Sequence, residues 1–380
     1  MTIAGGSVPR VERRTLLVFG GYAVAFAVVA LGQLAGLDPT VRFVLAILAL
    51  AGGAVAVGES TERLSERLSP ASTGVVQSVL GNLPELFLSI FALRAGLAGV
   101  VAAALIGSVL GNALFVLGLA LLVGGARHGR LFFSKATNRL YATELLLGVS
   151  ALVIGFLATR PSEPDAGHDV ELSAIVAVVL LVIFAISVPI SNRLAEAPPG
   201  ARYPDEADGA DARDGAAVAV PARHALAPTL VLLAISAGSA AFVADWFVDA
   251  LRPAMAAIGM SEAFAGLIVV ALAGNAVENL AGVRAAYRRK GDLALSLILN
   301  SALQVVLFLV PVVVLLSHVV APAPLPLVFD PLLLGTMAVT AILVFAIVLD
   351  GEANALEGAM LLGLYVIVAA GVWWGPVVRA

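Results

Sequence analysis

Gly81-Asn82-Leu83-Pro84-Glu85 decides how this chain is read, because it sets a carboxylate inside an apolar segment. The segment, TGVVQSVLGNLPELFLSIFALRA, runs from about Thr73 to Ala95 and is long enough to cross a bilayer. Glu85 falls near its middle, where a charged side chain costs ~2.5–3.5 kcal/mol to insert. A carboxylate at that depth therefore points to function. Gly81 and Pro84 flank it with residues that weaken or kink a helix. The backbone carbonyls freed by a kink are tolerated only beside protein or a water-filled cavity.

The same device occurs a second time. Gly274-Asn275-Ala276-Val277-Glu278 lies in SEAFAGLIVVALAGNAVENLAG, 193 positions further on. Ser108 and Ser301 keep that spacing without a gap. Between Gly81–Asn112 and Gly274–Val305 six of 32 positions are identical, and four of the six are these Gly, Asn, Glu and Ser residues. Identity held mainly at glycine and polar positions, inside two apolar hairpins, describes an internal repeat built around a site.

Composition sets the class. A chain of 380 residues that is 61% hydrophobic and 13% charged, with mean hydropathy +1.03, is a polytopic helical membrane protein. A transmembrane barrel would show weaker, alternating signals. With no cysteine, disulfides, thiol catalysis and Cys metal sites are excluded. Arg10, Arg13 and Arg14 precede a first apolar run that reads as a retained helix rather than a cleaved signal.

Apolar runs fall at about 15–36, 41–58, 73–95, 98–124, 140–159, 171–190, 225–250, 261–286, 292–317, 329–349 and 355–376. The fold expected is thus an all-α polytopic membrane protein with eleven transmembrane helices. Residues 192–224, rich in Ala, Pro, Gly, Asp and Arg, read as a solvated acidic linker. With the N-terminus inside, 17 of the 22 Lys and Arg fall on the cytoplasmic side. The expected location is a bacterial inner (plasma) membrane with a cytoplasmic N-terminus. The two motifs are then five crossings apart, so their helices enter from opposite faces. Residues 1–40 supply the N-terminus and first helix; 41–191 and 225–380 form two inverted five-helix repeats joined by the linker. Inverted repeats with interrupted helices are the architecture of secondary transporters, whose site lies at the repeat interface.

Glu85 and Glu278 brought together at the midplane cannot comfortably both ionise when nothing else is bound. Protons on the carboxylates or a divalent cation between them relieves the conflict, and competition between the two gives antiport. Asn82, Asn275, Ser108, Ser301, Asn112 and Gln304 can add neutral oxygen ligands. Such oxygens suit a hard cation, Ca²⁺ above all, whereas Zn²⁺ or copper would want His or Cys. The four histidines lie in loops or at span ends. Partners expected are inorganic cations and the bilayer, with no nucleic acid and no cofactor.

At these residues the chain resembles the cation/proton exchanger (CAX) family of the Ca²⁺/cation antiporter superfamily. GNLPELFLSIFAL…GSVLGNALFVLG is similar to that family's first repeat, and GNAVENLAG…LILNSALQVVLFLVP to its second. GESTERLSERL (58–68) and AFVADWFVDAL (241–251) resemble the segments before each repeat. The resemblance covers about residue 41 to the last span. Gly-Asn in both repeats separates this family from Na⁺/Ca²⁺ exchangers, whose first repeat reads more like GTSLPE. It implies cytosolic Ca²⁺ export against H⁺, with Glu85 and Glu278 as the acidic ligands and Asn82, Asn275, Ser108, Ser301 and Gln304 flanking them. It also marks Glu59 and Asp245 as proton-path candidates. Three positions depart from the family: Pro84 replaces a small residue, Asn279 a His and Asn300 a Gly. Pro84 keeps a Na⁺/Ca²⁺ exchanger of the same fold open as an alternative. An intramembrane hydrolase built on two carboxylates is a third reading, opposed by the inverted pairing and the absence of intramembrane His.

Overall fold

The computed structural model describes residues 13–68, 70–160, 163, 167–196 and 226–374. Side chains of 13, 14, 70, 71, 73–75, 189, 191–196 and 276–278 are outside that description, and so is most of the expected linker.

The first half comprises α1 (Arg13–Leu34), α2 (Pro39–Ser65), α3 (Pro70–Gly81), α4 (Leu83–Arg94), α5 (Ala98–Leu110), α6 (Leu117–His128), strand β1 (Arg130–Phe132), α7 (Lys135–Ala158) and α8 (Asp169–Glu196). The second comprises α9 (Leu226–Ile258), α10 (Glu262–Phe264), α11 (Ala271–Gly274), α12 (Ala276–Tyr287), α13 (Gly291–Gln304), α14 (Val310–Val320), α15 (Pro331–Val348), strand β2 (Glu352–Asn354) and α16 (Ala355–Trp373). Among the described residues nine helices are long and apolar enough to cross a membrane. A tenth crossing forms if Glu262–Gly274 and Asn279–Tyr287, bent by 65°, are taken together. The span expected at 73–95 is divided into α3 and α4, of 12 residues each.

Both motifs break their helix at the same atom of sequence. Asn82 sits at φ −89°, ψ 10° and Asn275 at φ −91°, ψ 10°, a sparsely populated bridge conformation that ends one helix and starts the next. Each following span is interrupted as well, by a π-helical turn at Gly111–Val116 between α5 and α6 and at Val305–Leu309 between α13 and α14. Such turns widen a helix and open its backbone ladder. The two Asn breaks and the two π turns that follow them thus share backbone geometry, while the π turn at Ala265–Val270 before Asn275 has no like turn in α3.

Packing separates centre from rim. In the 98–128 span the most apolar window is 89% buried, whereas that of α1 is 17% buried. Leu17, Ile175, Ile186, Val366 and Ile367 point outward, a surface suited to lipid tails rather than water. At the centre α5 crosses the π turn Ala265–Val270 with backbone touching backbone. A β-carbon on Gly107 would lie 2.5 Å from Leu267 Cα, and one on Gly266 would lie 2.3 Å from Val100 O. Small residues at a crossing let membrane helices approach this closely.

The loops gather at two ends. At one, β1 and β2 pair antiparallel, Leu131 opposite Ala353, and Arg130 bridges to Glu352. Asp292 accepts the Ser134 N–H there, and the Arg127 guanidinium lies over the Tyr287 ring, 4.1 Å from its centroid. At the other end Ser173 Oγ accepts the Leu327 N–H at 2.7 Å, and Ser261 Oγ donates to Val372 O at 2.5 Å.

Candidate cation site

Asn82 is the residue between α3 and α4, and Asn275 the residue between α11 and α12. Each replaces part of the hydrogen bonding that its break removes. Asn82 Nδ2 donates to Ser78 O at 2.7 Å, and Asn275 Nδ2 donates to Ala271 O at 3.1 Å. The remaining amide hydrogen of each crosses to the other repeat. Asn82 Nδ2 donates to Gln304 Oε1 at 3.0 Å, and Asn275 Nδ2 to Ser108 Oγ at 3.1 Å. Asn112 Nδ2 adds a third crossing, donating to Ser301 Oγ at 3.0 Å. Since both amide hydrogens of Asn82 and of Asn275 are engaged by protein, what each has left to offer is its carbonyl Oδ1, a neutral hard donor.

These bonds position more than they stabilise. A hydrogen bond between membrane helices averages about 0.6 kcal/mol, so three contribute ~2 kcal/mol, little beside the packing around them. Their value is geometric: six of the eight residues expected at the site are fixed to one another across the repeats. All six are buried, none more than 9% exposed.

Glu85 occupies the third position of α4 and is 7% exposed. At a helix N-terminus the positive end of the backbone dipole favours a carboxylate. Its side chain reaches the second repeat, since a β-carbon at Gly274 would lie 2.8 Å from Glu85 Oε1. Glu278 takes the matching third position of α12, its side chain being among those not described. Among the described residues no three His, Cys, Asp or Glu side chains cluster to hold a metal. The described oxygens here are those of amides, hydroxyls and the Glu85 carboxylate, the hard donors of which Ca²⁺ accepts six to eight in flexible geometry.

The two other expected residues lie on α2 and α9. Glu59, on α2, forms a buried ion pair with Arg63 at 3.1 Å, each side chain 8% exposed. Arg63 also donates to Thr15 Oγ1 and lies over the Phe19 ring, tying α2 to α1. Asp245 is half-buried on α9, one turn before the exposed Asp249, which has Arg42 within electrostatic reach.

Sequence reasoning missed two features. The first is the contact of Glu85 with Gly274, for which the glycine in each motif was the only signal. The second is a cleft of about 100 Å³ between α3, α7, α8 and α13, with exposed Gln77 and Asn300 at its mouth and buried Ser78 and Gln304 at its floor. A second, shallow cleft between α4, α5 and α9 is lined by apolar groups such as Leu88, Val101 and Phe247.

Residues 39–191 and 228–374 match the model of the sodium/calcium exchanger protein family. The chain is 30% identical over 366 residues to a Ca²⁺/H⁺ antiporter of Aphanothece halophytica, covering 95% of this chain and 97% of that one. It is 31% identical to the Ca²⁺/H⁺ antiporter ChaA of Bacillus subtilis, covering 90% and 94% of the two chains. The solved structure of native YfkE superposes with a TM-score of 0.77 at 28% identity, covering 94% of this chain and 99% of the other.

Proposed function

The chain belongs to the sodium/calcium exchanger protein family, and on that premise we propose that it is a secondary antiporter exporting Ca²⁺ from the cytosol in exchange for H⁺. Glu85 and Glu278 act as the shared acidic ligands, with Asn82, Asn275, Ser108, Ser301, Asn112 and Gln304 as neutral partners. The carrying observation is the set of three hydrogen bonds from Asn82, Asn112 and Asn275 to residues of the opposite repeat, together with the contact of Glu85 with Gly274.

In this reading the fold has eleven crossings, α3–α4 and α10–α12 being the two broken ones, arranged as a first helix and two inverted halves. Support comes from the loops: every cross-loop contact described above joins loops that the crossing count puts on the same side. The N-terminus and the Arg-rich loops face the cytoplasm of a bacterial cell, as the positive-inside rule requires. The polar cleft at Gln304 and the apolar packing beyond Leu88 fit an inward-open state of an alternating-access cycle. Na⁺ coupling remains the second reading, favoured by Pro84, buried in the first turn of α4.

The test is Ca²⁺ uptake into everted membrane vesicles. A pH gradient, acid inside, drives uptake in the absence of Na⁺ if the first reading holds. Uptake that ignores the pH gradient and follows a Na⁺ gradient overturns it in favour of the second.

A further inference from the structure

Among the described residues that line the cleft reaching Gln304 there is one carboxylate, Glu144 on α7. Three other helices supply its remaining polar side chains beyond α7: α3 gives Gln77 and Ser78, α8 gives Ser187, and α13 gives Asn300 and Gln304. Glu144 is half-buried within an apolar span, and among the described residues it forms no ion pair. A carboxylate so placed is costly unless a cation or proton visits it. The floor of the cleft is formed by the groups that hold Asn82: Ser78, whose carbonyl accepts at 2.7 Å, and Gln304, whose Oε1 accepts at 3.0 Å. A cation at Glu144 is thus one layer of side chains from the central site.

Resting on the antiport reading, we infer that Glu144 with the amide and hydroxyl oxygens around it forms a loading subsite for divalent cations on the cytoplasmic side. The donor set argues for weak binding. One carboxylate with neutral oxygens leaves much of the hydration shell in place, and calcium sites of low charge count fall in the range of about 10⁻⁴–10⁻³ M. Weakness is useful there, because an ion must enter a pathway site readily and leave it readily. The exposed mouth at Gln77 and Asn300 admits a hydrated ion, and the buried floor at Gln304 is where it would shed water to protein oxygens.

The first measurement is the initial rate of Ca²⁺ uptake by everted vesicles, whose outer bath meets this cleft. Glu144→Gln is expected to raise KM about fivefold while Vmax at saturating Ca²⁺ stays within about twofold of wild type, and Glu144→Asp to restore KM. An unchanged KM, or a lower Vmax at unchanged KM as a proton relay would give, overturns the proposal. If Glu144→Gln does not fold, Asn300→Asp adds a second carboxylate at the mouth and is expected to lower KM; an unchanged or raised KM contradicts the subsite. A second measurement needs no transport: Mn²⁺ binding to the purified full-length Glu85→Gln/Glu278→Gln chain, read by electron paramagnetic resonance. Weak residual Mn²⁺ binding that disappears on adding Glu144→Gln supports the subsite, and binding that persists, or is absent from the start, refutes it. Failure of wild-type vesicles to take up Ca²⁺ under a pH gradient would instead strike the antiport reading, leaving the Mn²⁺ result to decide the subsite.

Discussion

The carboxylate of Glu85 rests against Gly274: a β-carbon there would lie 2.8 Å from Oε1 and 2.9 Å from Cγ of the glutamate. The second repeat therefore accommodates the first repeat's acid by having no side chain at that position. Gly274→Ala must displace the carboxylate, because contacts under about 3 Å do not survive. The expected outcome is a rise of about tenfold in the Ca²⁺ concentration needed for half-maximal uptake, equivalent to ~1.4 kcal/mol. Thermal unfolding of the purified variant should change little by comparison. Unaltered uptake would mean the contact has no part in cation binding.

Asn82 and Gln304 come from opposite repeats and share a buried hydrogen bond of 3.0 Å. A double-mutant cycle with Asn82→Ala and Gln304→Ala, scored by thermal stability, should return a coupling of ~0.6–1.7 kcal/mol. Transport should suffer far more, because Asn82 loses its Oδ1 as well as its hold on the broken helix end at Ser78. Additive losses in stability would show that the two side chains do not interact.

Much of this was legible in the chain itself. Asn82 and Asn275 announce the breaks because Gly-Asn recurs at a fixed spacing inside apolar runs, and Ser108 and Ser301 hold the same register. Asn112 and Gln304 are polar residues without a like counterpart, facing Val305 and Gly111 in the repeat alignment, and each bonds to the other repeat. Other features leave little trace. Strands β1 and β2 have three residues each, too few for period-two alternation to register. The π turns look like ordinary apolar helix, since one inserted residue per turn changes no composition. Glu144 sits in an apolar span alongside Arg139 and Lys135, so it reads as the end of a charged collar until tertiary packing surrounds it with Ser187, Gln77 and Asn300.

The Glu59–Arg63 pair at 3.1 Å gives a way to separate a structural acid from a proton-path acid. Removing one partner of a buried ion pair leaves an uncompensated charge, at a cost of about 3–5 kcal/mol. Glu59→Gln should therefore lower thermal stability, and Glu59→Gln combined with Arg63→Gln should recover most of the loss and most of the transport. Transport that stays lost in the stable double variant would assign Glu59 to the proton path.

If cation and proton compete for the same oxygens, as the proposed antiport requires, the sign of the pH dependence is fixed. A protonated carboxylate must release its proton before Ca²⁺ binds, so affinity rises with pH and falls as the solution is acidified. With both carboxylates engaged, the slope of log Kd against pH approaches −2 where both bind protons in the Ca²⁺-free protein. Calorimetric titration of the purified chain at several pH values should give that slope for wild type and no steeper than −1 for Glu85→Gln. A pH-independent Kd would remove the basis for exchange.

In the proposed mechanism Glu85 and Glu278, from oppositely directed halves, share one site. The chain has no cysteine, so Glu85→Cys/Glu278→Cys can be made in the otherwise intact protein, with a protease site placed in the 192–224 linker. Hg²⁺ or Cd²⁺ is expected to bridge the two thiols, so that the halves stay joined on a gel after cleavage, while each single-cysteine variant falls into two fragments. Two thiols that are each labelled freely but never bridged, with the halves separating every time, would contradict it.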